Sequence, residues 1–163
     1  MMLPKYKNIL LAVDLSENSA RALRHAVAIA QLHQGHVHLI HVLPEVEPAV
    51  LNYVATVMGE ERLAEYELQH KDDVRDQMRV SVHEFAKQEL LNIPEAMEMI
   101  KDVEVHHGIP SFVTLEVADS IAADLIVIGN HSKGNKVRHA FLGTMAKRLL
   151  RKSKIPVLVV PLK

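Results

Sequence analysis

Hydrophobic positions along this chain fall into two alternating kinds of segment. Short, mostly uninterrupted apolar runs stand at Asn8 to Asp14 (NILLAVD), His36 to Leu43 (HVHLIHVL), Val103 to Gly108, Leu125 to Ile128 and Ile155 to Val160 (IPVLVV). Runs of this length and composition suit parallel strands covered on both faces. Between them, apolar residues recur every three or four positions. Ala20, Leu23, Val27 and Ala30 mark a helix from Ser16 to about Gln34, and Leu63, Tyr66, Val74, Met78, Val82, Phe85 and Leu90 mark a long one over Glu61 to Leu91. A third helix carries Val113, Leu115, Val117, Ala118 and Ile121 inward and ends near Ala123, and a fourth covers Thr144 to Lys152. Such spacing gives a helix one apolar face. Gly35, Asn92, Pro94, the turn Gly108-Ile109-Pro110-Ser111 and Gly129 separate the segments. Pro44 to Gly59 fits neither pattern cleanly; its AVLNYVATVM stretch predicts a short amphipathic helix, expected as a lid over the mouth of a pocket.

Five strands alternating with four main helices, joined right-handedly, predict an α/β fold. The expected form is a single-domain (residues 1–163) open, twisted, parallel five-stranded sheet, doubly wound in the order 3-2-1-4-5, with helices on both faces. In that order the ends of strands one and four are neighbours where the winding reverses, and ligands of open sheets bind there. Asp14, Gly129 and the loop after Gly129 are therefore expected to converge on one crevice.

Charge sharpens this picture. The net charge of -1 conceals an asymmetry, because every Asp and Glu lies at or before Asp124, while Lys133, Lys136, Arg138, Lys147, Arg148, Arg151, Lys152, Lys154 and Lys163 follow it. Lys147 to Lys152 complement the C-terminal end of a helix; the loop cations have no such explanation and point to an anionic ligand. Gly143-Thr144 stands directly before MAKRLLRK, with Thr144 as the expected N-cap beside free N–H groups that suit a phosphate.

Several chemistries are set aside. The chain has no Cys, which excludes disulfides and thiolate chemistry. There is no Trp and aromatics are 4%, against stacking platforms for nucleic acid, and neither a signal peptide nor a membrane span is visible. His36 and His38 share one face of their strand and His41 takes the other, but no carboxylate follows at ligand spacing, so a solvated strand end is expected there rather than a metal site. Asp124 precedes its strand and His131 abuts Ser132, so no hydrolytic triad forms, and no GKS or GKT makes a P-loop.

The segments ILLAVDLSENSARALRHAVAIA, His41-Val42, GIP, IVIGNHSKG, FLGT and IPVLVVP resemble those of the universal stress protein family over nearly the whole chain, apart from Pro44 to Gly59. Its nucleotide-binding branch carries Gly, two residues, Gly, nine residues, then Gly and Ser or Thr. Gly129 and Gly143-Thr144 match, whereas Ser132 replaces the second glycine, ten residues separate it from Gly143, and Gly134 lies two places late. The resemblance implies a cytoplasmic stress-response regulator binding ATP, with Mg or Mn, through Ala12, Val13, Asp14, Val42, Ile128, Gly129, His131, Ser132, Gly134, Gly143, Thr144 and Met145. In it the residue at Asp14 meets the adenine side and Val42 lines the adenine pocket. It also implies a homodimer, which the exposed apolar edge Ile155 to Val160 independently predicts. Catalysis beyond weak incidental ATP hydrolysis is not expected. Two other readings stay open: a family member without nucleotide that serves as a dimeric interaction module, and an electrostatic binder of nucleic acid or an acidic partner through the basic C-terminal region.

Overall fold

The structure, a computed structural model, describes residues 2–130 and 143–161. The site candidates His131, Ser132 and Gly134 and the loop cations Lys133, Lys136 and Arg138 lie outside them.

Strands β1 (Asn8–Ala12), β2 (His36–Leu43), β3 (Ile100–His107), β4 (Leu125–Gly129) and β5 (Val157–Val160) form a sheet ordered β3-β2-β1-β4-β5, with every neighbouring pair parallel. The helices are α1 (Glu17–His33), α2 (Pro48–Met58), α3 (Glu60–Glu89), α4 (Pro94–Met97), α5 (Pro110–Ser120) and α6 (Thr144–Lys152). This is the expected doubly wound sheet, and β1 at its centre shows why the strands read as unbroken apolar runs. Ile9 and Leu11 enter a core shared with Leu23, Val27 and Ala30 of α1 and Val82 and Ala86 of α3, whereas Leu10 enters the opposite core with Val113 and Val117 of α5 and Ala146 and Leu149 of α6. A strand buried on both faces has no position left for a polar side chain. Full burial of each such residue stabilises the fold by about 1.5–3 kcal/mol.

The boundaries differ from expectation where side-chain pattern and backbone pairing part company. β1 ends at Ala12, placing Val13 and Asp14 in the turn beyond it. β3 starts at Ile100 rather than Val103 because the chain bulges: Val37 pairs with Ile100 but His38 with Asp102, leaving Lys101 as the extra residue. The bulge lets Ile100 and Val103 both face the core under α3 while Asp102 turns the other way. β5 starts at Val157, after Pro156, which has no N–H to donate. The four-residue α4 is too short to leave a periodic signature.

The Pro44 to Gly59 segment does contain a helix, α2, but it buries no residue and contributes nothing to the crevice wall. It packs against α3, so the lid expectation is not met. α3 itself is about 45 Å long at 1.5 Å per residue, and only its C-terminal part, through Val82 and Ala86, is buried on the sheet.

Candidate functional site

The turn from β1 into α1 is organised by Asp14. Its Oδ1 accepts hydrogen bonds from the Ser16 N–H at 2.9 Å, from the Ser16 hydroxyl, and from Ser19 Oγ at 2.7 Å, while its own N–H donates to Ser19 Oγ at 2.8 Å. These bonds hold the turn although Leu15 within it takes the left-handed conformation, with φ of 61°. Bulky residues seldom adopt that region, and such backbone concentrates at functional sites. Ser16 occupies the N-cap of α1, and the carboxylate two residues earlier holds its N–H just ahead of the helix.

At the next strand end, Gly129 is fixed by close approach. A Cβ there would lie 3.0 Å from Asn18 Cβ and 3.3 Å from the Asn18 carbonyl, so any side chain would push the first turn of α1 back by a few tenths of an ångström. Asn130 N–H then donates to the Val160 carbonyl at 3.0 Å, tying β4 to β5. Gly143, not Thr144, is the N-cap of α6, correcting the sequence reading; Thr144 is the first helical residue, and no side chain among the described residues caps this end. A Cβ on Gly143 would meet the Asn130 carbonyl oxygen at 3.0 Å.

These ends enclose a cavity of about 370 Å³, within the range of small-molecule sites. Ala12, Val13, Asp14, Val42, Ile128, Gly129, Gly143, Thr144 and Met145 all line it, which is every described residue singled out from the sequence. Its wall also contains residues that reasoning about the site left out: Asn18 and Ser19 on α1, Asn130 after β4, and Arg148 on α6. His41 and the turn Ile109-Pro110-Ser111 also line it. The two asparagines and Ser19 carry no motif, and only the three-dimensional crossing of α1 with β4 brings them in. Arg148 is one of the cations first read as serving the helix end; one turn inside α6, it reaches the crevice.

Two features tell what the cavity can hold. Its walls pair apolar side chains (Val13, Val42, Ile109, Ile128, Met145) with a few polar atoms, suiting a flat apolar ring system with polar edges. Asn130 Oδ1 is buried with no hydrogen-bond partner among the described residues, an acceptor that a ligand donor would satisfy. His41 Nδ1 lies 2.6 Å from the Val13 carbonyl and donates to it, which fixes the orientation of the ring.

Asp124 plays a different part. Its Oδ2 accepts from the Lys7 and Asn8 N–H groups at 2.9 and 2.8 Å, at the opposite end of the sheet, where it anchors the entry to β1. No helix among the described residues is long and apolar enough to cross a membrane.

Fold and cavity together define an open-sheet α/β protein with a ligand-sized crevice at its winding reversal. Residues 5–161 match the universal stress protein family, and the chain belongs to it. Universal stress protein MJ0577 of Methanocaldococcus jannaschii is 30% identical over 159 residues, covering 95% of this chain and 94% of that protein. The solved structure of MJ0577 superposes with a TM-score of 0.68 at 26% identity, covering 97% of each chain. A universal stress protein in complex with cAMP (TM-score 0.55, 21% identity, 96% of this chain and 98% of that one) and one from Archaeoglobus fulgidus in complex with dAMP (TM-score 0.53, 22% identity, 95% and 98%) share the fold.

Proposed function

We propose that this chain is a cytoplasmic, dimeric stress-response regulator that binds an adenine nucleotide, ATP foremost, in the crevice between the ends of β1 and β4, and that it responds to the nucleotide rather than turning it over. The observation carrying this reading is the cavity itself: a slot of about 370 Å³ with apolar walls, a preorganised carboxylate at one end and the start of α6 at the other. The base fits between Val42 and the Ile109-Pro110 turn, with Asp14 and Asn130 available to its edge and to the ribose. Phosphates fall toward Gly143-Thr144 and Arg148, where free N–H groups, the helix dipole and a guanidinium favour negative charge. Relatives of the same fold solved with cAMP and dAMP support an adenine ligand. A divalent cation, Mg or Mn, would be held by the phosphate oxygens and water, because Asp14 is the only carboxylate among the described residues that line the cavity.

The dimer rests on the outer edge of β5, whose Val157, Leu158 and Val159 are only partly buried and carry neither charge nor bulge. Val159→Lys is expected to give monomers by light scattering; a monomeric wild type at micromolar concentration removes this part of the reading.

Isothermal titration with ATP and AMP tests the ligand. The wild type is expected to bind ATP, and replacing Ser132 by Gly while deleting Lys133 is expected to strengthen binding by restoring the family spacing. No binding in the wild type with clear binding in the restored loop would make this chain a nucleotide-free interaction module. No binding in either would leave the basic loop to another kind of partner.

A further inference from the structure

We infer that the sheet face packed under α5 carries, at its β3 edge, a second site for a divalent transition-metal ion of the Zn2+ kind, clasped between His38 on β2 and Asp102 on β3. The sequence argued against a metal at His36 and His38 for want of a carboxylate nearby along the chain. The sheet supplies one from the neighbouring strand. Its register sets His38 opposite Asp102, Ile40 opposite Glu104 and Val42 opposite His106, so a polar row on β3 flanks the histidine face of β2. His38 is not at a solvated strand end: it is 6% exposed, and its Nδ1 is buried without a hydrogen-bond partner among the described residues. The nearest charged atom is Asp102 Oδ2, at 3.6 Å.

That distance is too long for a hydrogen bond. It matches the separation of two ligands on one tetrahedral zinc: bonds of 2.0–2.2 Å to nitrogen and oxygen put the ligand atoms about 3.4 Å apart. An ion therefore seats between the two groups with little movement of either. The chemistry of the pair selects the metal. One imidazole nitrogen and one carboxylate favour Zn2+ and its transition-metal neighbours over Mg2+ or Ca2+, which prefer oxygen ligands throughout. Metal ligation requires a neutral imidazole, and burial holds the His38 pKa below its ordinary value, with Asp102 and Glu104 opposing that shift and Lys101 and His36 adding to it.

Among the described residues no three His, Asp or Glu side chains already converge on one point. The clasp thus has two protein ligands, with water in the remaining positions. Glu104, one pleat along, is held by His106 at 2.7 Å and stays outside the coordination shell. A two-ligand site with open positions is expected to bind with micromolar rather than nanomolar affinity. Asp102, at 55% side-chain exposure, gives the ion its entry path.

The test is a Zn2+ titration of the whole chain, by calorimetry and by histidine NMR, with Mg2+ as the comparison metal. One Zn2+ per chain is expected to bind in the micromolar range, to shift the His38 ring resonances and to go undisplaced by millimolar Mg2+. Asp102→Asn and His38→Gln are each expected to weaken it at least tenfold, and His106→Gln to leave it unchanged, which separates this site from the remainder of the 11 histidines. Asp102 is exposed, so its variant keeps the fold even where His38→Gln does not. Unchanged Zn2+ affinity in Asp102→Asn, silent His38 resonances, or equal loss in His106→Gln would overturn the inference.

Discussion

Asp14 in the crevice and His38 on the sheet face under α5 are both ionisable groups held close to the core, and their environments were built in opposite ways. Asp14 is served by Ser16 and Ser19, two and five residues on, so a single turn supplies donors at 2.7–2.9 Å. His38 faces Asp102, a partner from another strand, across 3.6 Å, and Nδ1 has no hydrogen bond among the described residues. The first arrangement presents a negative charge already oriented by the backbone. The second leaves a buried polar atom uncompensated, and such an atom costs stability unless something else binds it. Local supply of partners makes a site rigid before any ligand arrives; supply across strands leaves it dependent on one.

The contrast is tested most severely at Gly143. Valine there puts a branched side chain where even a Cβ lies 3.0 Å from the Asn130 carbonyl oxygen, closing the crevice at the start of α6. Gly143→Val is expected to reduce ATP affinity more than a hundredfold in a titration, while Zn2+ affinity at His38 and Asp102 stays as in the wild type. Equal loss of both would mean that the two regions are coupled through the sheet and that the substitution acts on the fold.

A smaller effect is expected at Asp14. Losing a charge-assisted hydrogen bond to a ligand costs about 1.5–3 kcal/mol, so Asp14→Ala should weaken ATP about ten- to a hundredfold. Ser19→Ala separates the two tasks of that carboxylate, because it removes one donor from Oδ1 and keeps the charge. It is expected to lower the denaturation midpoint slightly and to change ATP affinity less than tenfold. If Ser19→Ala matches Asp14→Ala in calorimetry, the carboxylate serves the turn alone.

The same distinction explains what could be read along the chain. Strand order, the burial of β1 on both faces and the crevice at the winding reversal all follow from period and alternation, which are local properties summed over the chain. Gly129 and Gly143 were legible because a missing Cβ leaves a mark in sequence. Asn18, Ser19 and Asn130 were not, since a polar residue beside a helix start looks the same whether it faces solvent or a cavity. The bulge at Lys101 stayed hidden for a related reason: one extra residue in β3 changes which side chains share a face, and nothing in IKDVEVHH announces it. His38 was misread as solvated because its burial depends on the neighbours of β2, and the role of α2 as a lid failed because helicity says nothing about where a helix docks.

The smallest effect concerns pH and isolates His38 in metal-free protein. Burial lowers the His38 pKa in the folded state, while the unfolded chain keeps the ordinary value of about 6.5. Over the interval between those two values the unfolded chain binds the proton and the folded chain does not, so acid favours unfolding. Stability from this residue is complete above about pH 6.5 and is lost as the pH falls toward the folded pKa. Asp102 and Glu104 raise that pKa, so Asp102→Asn lowers it further and is expected to deepen the acid loss. Gln in place of His38 cannot take the proton and flattens the limb. Urea midpoints between pH 7.5 and 5, recorded with chelator present, measure this directly. A wild-type profile no steeper than that of His38→Gln would show that Nδ1 finds a partner in solution, and the asymmetry between the two sites would then disappear.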